Sequence, residues 1–206
     1  MSYGSYEEMR TPVSVFGSLP VDSPLLVDVP TTPGHAQQRI HKLALPDFLA
    51  MSAAVEKQLG FPLEVASGHR PHRWPSRQEY ERVIIAKYGS VARGRLFLAF
   101  DSPHETGLPV DFGCGGLSPV SATIAWQRER PLHLWLMEYA WQYGWHPYKV
   151  EPWHWEHWVD LESYRTGEIQ PTSADDSGPL TCSDPNDVCV EAPLDDVLAT
   201  PRSSTS

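Results

Sequence analysis

His104 and Asp111 lie seven residues apart with Gly107 between them, and His154 follows in the run Glu151-Pro152-Trp153-His154-Trp155. Catalytic zinc typically takes three protein ligands from His, Asp or Glu and keeps a fourth position for water. A glycine between the first two lets the chain reverse, so a His on one arm and an Asp on the next strand can meet at one ion. His154 would then be the third ligand. Water bound to such a zinc falls in pKa from about 15.7 towards roughly 7. A carboxylate beside it can take the proton as the water attacks a carbonyl. Glu151, three residues before His154, is the candidate base. On a regular strand, 151 and 154 would face opposite sides. Pro152 argues that the strand starts after it, which puts Glu151 on the bend, where it can turn inward. His157 competes as a ligand, but strand parity points it away from His154. Nine histidines in one chain also give chance pairings.

These residues need elements to hold them. Pro46 to Leu59 has apolar residues at helical spacing (Phe48, Leu49, Met51, Ala54, Val55, Leu59), and Gly60 follows as a stop. Ser76-Arg77-Gln78-Glu79 fits a capping box, which predicts a helix to about Tyr88 with Gly89 past its end. Pro131 suits the first turn of a helix running through Leu134, Leu136, Met137 and Ala140 to Tyr143, closed by Gly144. Strands are predicted at Leu25–Val29, Leu63–Ala66, Leu96–Phe100, Val110–Phe112 and Val150–Val159. The fold class is therefore α+β: helices packed on a small antiparallel sheet. Residues 1–40 read as an irregular lead-in, 41–165 as the domain carrying the chemistry and 166–206 as a tail.

Composition narrows the classes. Hydrophobic residues make up 41% and charged residues 20%, as in ordinary globular domains. No apolar run approaches the roughly 18 residues of a membrane helix. Met1 to Pro20 lacks an apolar h-region, so no secretory signal peptide is expected. Net charge is -10, of which residues 168–206 supply -7 through eight acidic residues and one arginine. No basic face for nucleic acid is expected. That acidic segment holds five prolines and little apolar content, which predicts disorder. Cys182 and Cys189 could close a small disulfide loop in an oxidising compartment, or stay free thiols. Cys114 reads as a buried small hydrophobe.

The stretch Ser102-x-His104-x-x-Gly107-x-x-x-Asp111, followed by Glu151-Pro152-Trp153-His154-Trp155, resembles the signature of zinc D-alanyl-D-alanine carboxypeptidases of the vancomycin-resistance type. That family includes phage endolysins cutting L-alanyl-D-glutamate bonds and shares its fold with the hedgehog signalling domain. Ser67-Gly68-His69-Arg70 resembles its Ser-Gly-Tyr-Arg, and the likeness spans about residues 45 to 160. It implies Zn2+ on His104, Asp111 and His154, with Glu151 as base. It implies that Arg70 holds the substrate or steadies a developing oxyanion, and that Ser102 lies near the substrate. Pro109 in place of alanine, His69 in place of tyrosine and a longer stretch after Arg70 depart from the pattern at the substrate edge.

The resulting expectation is a zinc metallopeptidase acting on peptidoglycan stem peptides, with D-Ala-D-Ala carboxypeptidase activity favoured. An L-Ala-D-Glu endopeptidase, acting as a lysin or a delivered toxin, is the alternative. A zinc-containing module that binds the cell wall without cutting it is the rival from another class; retention of Glu151 speaks against it. The expected partner is the stem peptide, with no nucleic acid and no membrane, and the chain is expected to be a monomer. An immunity or delivery partner is left open. The site of action would be the cell wall after export outside the secretory route or phage-type lysis, or the cytoplasm for a dipeptidase.

Overall fold

In the computed structural model, residues 9–95, 98–113 and 120–170 are described. The expectations for the acidic tail beyond Gln170, for Cys114 and for a Cys182–Cys189 bond lie outside the described residues.

The elements run α1 (Val13–Phe16), β1 (Leu26–Asp28), β2 (Arg39–His41), α2 (Ala44–Leu59), β3 (Val65–Ser67), α3 (Arg77–Tyr88), α4 (Val91–Gly94), β4 (Val110–Phe112), α5 (Ile124–Arg128), α6 (Pro131–Tyr139), β5 (Trp145–Pro147), β6 (His154–His157) and α7 (Leu161–Thr166). A 3-10 turn, Pro103–Thr106, precedes β4. Strands β1 and β2 form an antiparallel pair. The other four make an antiparallel sheet in the order β3-β4-β6-β5. The architecture is the expected α+β one with small antiparallel sheets. Among the described residues no helix is long and apolar enough to cross a membrane.

Helix α2 shows why the core sits where it does. Ala44, Phe48, Met51 and Val55 recur at helical spacing and are all buried. They pack with Val110, Phe112, Trp145 and Trp155 of the sheet and with Leu132, Trp135 and Leu136 of α6. A phenylalanine as buried as Phe48 contributes about 3–5 kcal/mol relative to alanine. Side chains alternate across a strand. Val110, Phe112 and Trp155 therefore face this core, and Asp111, His154 and Glu156 point to the other side of the sheet.

Local signals read from the sequence recur in the helices. The Ser76 side chain accepts from the Glu79 amide, and Gly89 closes α3 in the left-handed region at φ 86°. The remaining differences are also physical. The last strand is four residues long, not ten, because Pro152 and Trp153 lie in a turn before it. Residues Leu98–Phe100 form no strand; Leu98 and Phe100 pack against Trp74, Tyr80 and Ile84 in a separate cluster. A short apolar run cannot be told from a buried coil segment by periodicity alone. Strand β2 and helix α7 were not predicted. They meet where the His41 ring stacks on Tyr164 at 4.8 Å and His41 Nε2 hydrogen-bonds the Tyr164 carbonyl at 3.0 Å.

Candidate metal centre

Three side chains converge from three places in the chain. Asp111 on β4 and His154 on β6 are direct cross-strand partners, which places both on one face of the sheet within reach of each other. His104 comes from the 3-10 turn ahead of β4. Gly107 ends that turn at φ 73°, a conformation L side chains rarely adopt. A Cβ there would also lie 2.7 Å from Leu26 Cδ2 and 3.1 Å from the His41 nitrogen. The reversal between the two candidate ligands therefore needs glycine on two counts.

The candidate ligand atoms form a nearly equilateral triangle. His104 Nε2 lies 3.1 Å from His154 Nδ1 and 3.2 Å from Asp111 Oδ1, and His154 Nδ1 lies 3.1 Å from Asp111 Oδ1. All three residues are buried. The outward ring nitrogens are already committed. His104 Nδ1 donates to the Gly68 carbonyl at 2.7 Å, and His154 Nε2 donates to the Glu156 carboxylate at 2.8 Å. When both imidazoles are neutral, the inward nitrogens are then lone pairs beside a carboxylate oxygen. Three acceptors at this separation repel unless a cation sits among them. Tetrahedral Zn2+ with bonds of about 2.0–2.1 Å spaces its ligand atoms by roughly 3.3 Å. The donor set and its spacing fit that ion.

The electrostatics show the same demand for positive charge among these groups, which a proton on His154 also meets. Burial lowers the His104 pKa and outweighs the pull of Asp111, with the charges of Arg70 and His154 adding to the lowering. Burial opposes charge on His154 too, but its hydrogen bonds to Asp111 and Glu156 outweigh it and push the imidazole up to about 9. Burial alone would raise Asp111. His104 and His154 beside it overcome that and hold the carboxyl well below its usual range.

Glu151 stands at the edge of the turn leading into β6, where its carbonyl accepts from the His154 amide at 3.0 Å. Glu151 and His154 line one cavity of about 220 Å³, together with Arg128, His133, Tyr148 and Lys149. Burial raises the Glu151 pKa and the Asp111 charge adds to it, against the pull of His154, Arg10 and Arg70. A raised carboxyl pKa brings a base nearer to neutral pH, as general-base chemistry favours. Arg70 is half-exposed, with Nη2 3.8 Å from Asp111 Oδ2, and its backbone amide donates to the His104 carbonyl at 3.1 Å. Ser102 lies at the N-cap of the turn carrying His104, and its amide donates to Glu105 Oε1 at 2.9 Å.

The competing histidine goes elsewhere. His157 Nε2 bonds Asp47 Oδ2 at 2.9 Å, and its ring packs edge-on against Trp145, on the core side of the sheet. His69 bonds the Leu19 carbonyl and His133 the Pro152 carbonyl. Two acidic residues escaped the sequence reading. Glu105 is buried and takes hydrogen bonds from Ser102, His72 and Ser18, which fixes the turn bearing His104. Glu156 is fully buried against His154. Its place two residues after His154, on the same strand face, was the one available signal.

Comparison with known proteins found no matching family model and no matching curated sequence. Among solved structures, the chain is similar to the vancomycin-resistance D,D-pentapeptidase VanY of a VanB-type resistance cassette, a point mutant in complex with Zn(II). Identity is 22%, the TM-score is 0.43, and the match covers 74% of this chain and 90% of that one.

Proposed function

We propose that the chain is a zinc peptidase hydrolysing a peptide bond in peptidoglycan stem peptides, with removal of a terminal D-alanine as its favoured activity. The observation that carries the reading is the buried triangle of His104, Asp111 and His154, of which His154 shares one cavity with Glu151. The zinc would be held by His104 Nε2, Asp111 Oδ1 and His154 Nδ1. When bound, it supplies Lewis-acid polarisation of a carbonyl and acidifies water.

The chain's own groups do the rest. Glu151 takes the proton of the attacking water on a carboxylate oxygen and returns it to the departing amine. Arg70, at the rim beside Asp111, offers a fixed cation to the carbonyl oxygen as negative charge grows there. Such a group stabilises the transition state more than the ground state. The substrate class rests on the motif resemblance around Ser102–Asp111 and Glu151–Trp155. Arg128 and Lys149 on the cavity wall suit a carboxylate, which favours the end of a peptide over its middle.

The test is Glu151→Gln on purified muropeptides, read by mass spectrometry, with zinc content measured on the same sample. The expected result is normal zinc and a rate lowered roughly 10²–10⁴-fold. Loss of one D-alanine from the wild-type digest supports the carboxypeptidase, and cleavage within the stem supports the endopeptidase. An undiminished rate in Glu151→Gln would remove the base assignment. Binding of muropeptides without any cleavage by the wild type would favour the non-enzymatic module.

A further inference from the structure

The segment ahead of α1 reaches the metal centre from the far end of the chain. Thr11 is buried, at 1% exposure, and its backbone N–H donates to Glu156 Oε2 at 2.7 Å. Its hydroxyl donates to the same oxygen. The other carboxylate oxygen, Oε1, accepts from His154 Nε2. Glu156 is thus a fully buried carboxylate with three donors, two of them from one N-terminal residue. Next to Thr11, Arg10 lies over the Tyr148 ring at 5.2 Å, and that ring packs edge-on against His154 at 5.7 Å.

A buried carboxylate is costly unless its oxygens are paired. If Thr11 withdrew, Glu156 Oε2 would need another donor, and the carboxylate would turn or admit water. His154 would then lose the acceptor that fixes which of its nitrogens carries the proton. In the neutral imidazole that can bind a metal, a proton held on Nε2 is what leaves the Nδ1 lone pair aimed at Asp111 and His104. Groups that orient a ligand through its second nitrogen typically change metal affinity by about 10–100-fold.

We propose that Thr11 and Glu156 are positioning residues for the metal centre, and that the N-terminal segment thereby completes the zinc site. This rests on the zinc reading above. The role assigned to the segment is the relay Thr11 to Glu156 to His154, and the ion it serves is a divalent metal.

Zinc affinity should be measured by competition with a chromophoric chelator on the full chain, with circular dichroism confirming that each protein is folded. Thr11→Val keeps the size and the amide but removes the hydroxyl donor, and should weaken zinc about 10–100-fold. Thr11→Ser restores the donor and should restore affinity. Glu156→Gln keeps the volume but turns an amide N–H₂ towards either Thr11 or His154, and should weaken zinc to a similar degree. The absorption bands of the Co2+-loaded protein should shift in Thr11→Val and Glu156→Gln and return in Thr11→Ser. If Thr11→Val does not fold, Thr11→Ser and Glu156→Gln carry the test. Wild-type affinity and Co2+ bands in Glu156→Gln, or an equal loss in Thr11→Ser and Thr11→Val, would overturn the inference while leaving the zinc reading intact. Absence of zinc and cobalt binding in the wild type would overturn both.

Discussion

Gly68→Ala tests how the fold sets the proposed metal centre through backbone alone. The Gly68 carbonyl accepts the Nδ1 hydrogen of His104 at 2.7 Å. A Cβ on Gly68 would lie 2.4 Å from the Arg39 carbonyl oxygen and 3.3 Å from Ile40 Cγ2. The first contact is with backbone of β2, which cannot swing aside as a side chain can. Real Cβ atoms essentially never come under 3.0 Å, so the two segments must part by about 0.6 Å or more. If Gly68 takes up that movement, its bond to His104 stretches past the usual limit of about 3.2 Å. His104 then loses its orientation, and zinc affinity should fall about 10–100-fold, or roughly 1.4–2.7 kcal/mol. Chelator competition at fixed pH and salt reads this directly. Gly60→Ala is the control: its φ is 84° but no atom lies within 4 Å of the added Cβ. It should cost about 1–2 kcal/mol of stability through backbone strain and leave zinc affinity unchanged. Equal zinc affinity and equal turnover in Gly68→Ala and the wild type would refute the claim that this close approach positions His104.

Two further outcomes are expected. Arg70→Ala should retain zinc and lose turnover, and Arg70→Lys should recover only part of it, because a point charge does not copy the planar fork; unchanged kinetics in Arg70→Ala would remove its role. Burial lowers His41 from 6.5 to about 4, against the Tyr164 carbonyl that raises it. Above pH 6.5 both folded and unfolded chains hold it neutral, and between 6.5 and about 4 only the unfolded chain takes the proton. Stability should therefore fall by about 3 kcal/mol as pH drops through that window. Urea unfolding at pH 7.5 and 4.5 should show a smaller difference in His41→Gln than in the wild type; an equal difference would assign the acid sensitivity elsewhere.

The parts of this fold that could be read from sequence are those written locally. Helix α3 announces itself through Ser76, Glu79 and Gly89, and α2 through the spacing of Phe48, Met51 and Val55. His104, Asp111 and His154 stand out because their types and the glycine between the first two limit what they can do. Where the reading fell short, the cause was contact between distant segments. Thr11 is an ordinary threonine until β6 brings Glu156 beside it, 145 residues on. Glu105 looks like a surface acid beside His104, and only the approach of Ser18 and His72 makes it a buried hub. Strand β2 carries Arg39, Ile40 and His41, a pattern with no strong alternation, and β1 supplies the partner that defines it.

The contact between Thr11 and Glu156 also has a bearing on the order of synthesis. Thr11 leaves the ribosome early and Glu156 late, with a delay of about 7–30 s at 5–20 residues per second. Until β6 emerges, neither His154 nor the carboxylate that Thr11 grips is present, so a nascent chain holds two of the three proposed ligands and no assembled centre. On the proposed reading, the site stays unassembled throughout translation up to β6, and metal uptake would report that the chain has been completed at least that far.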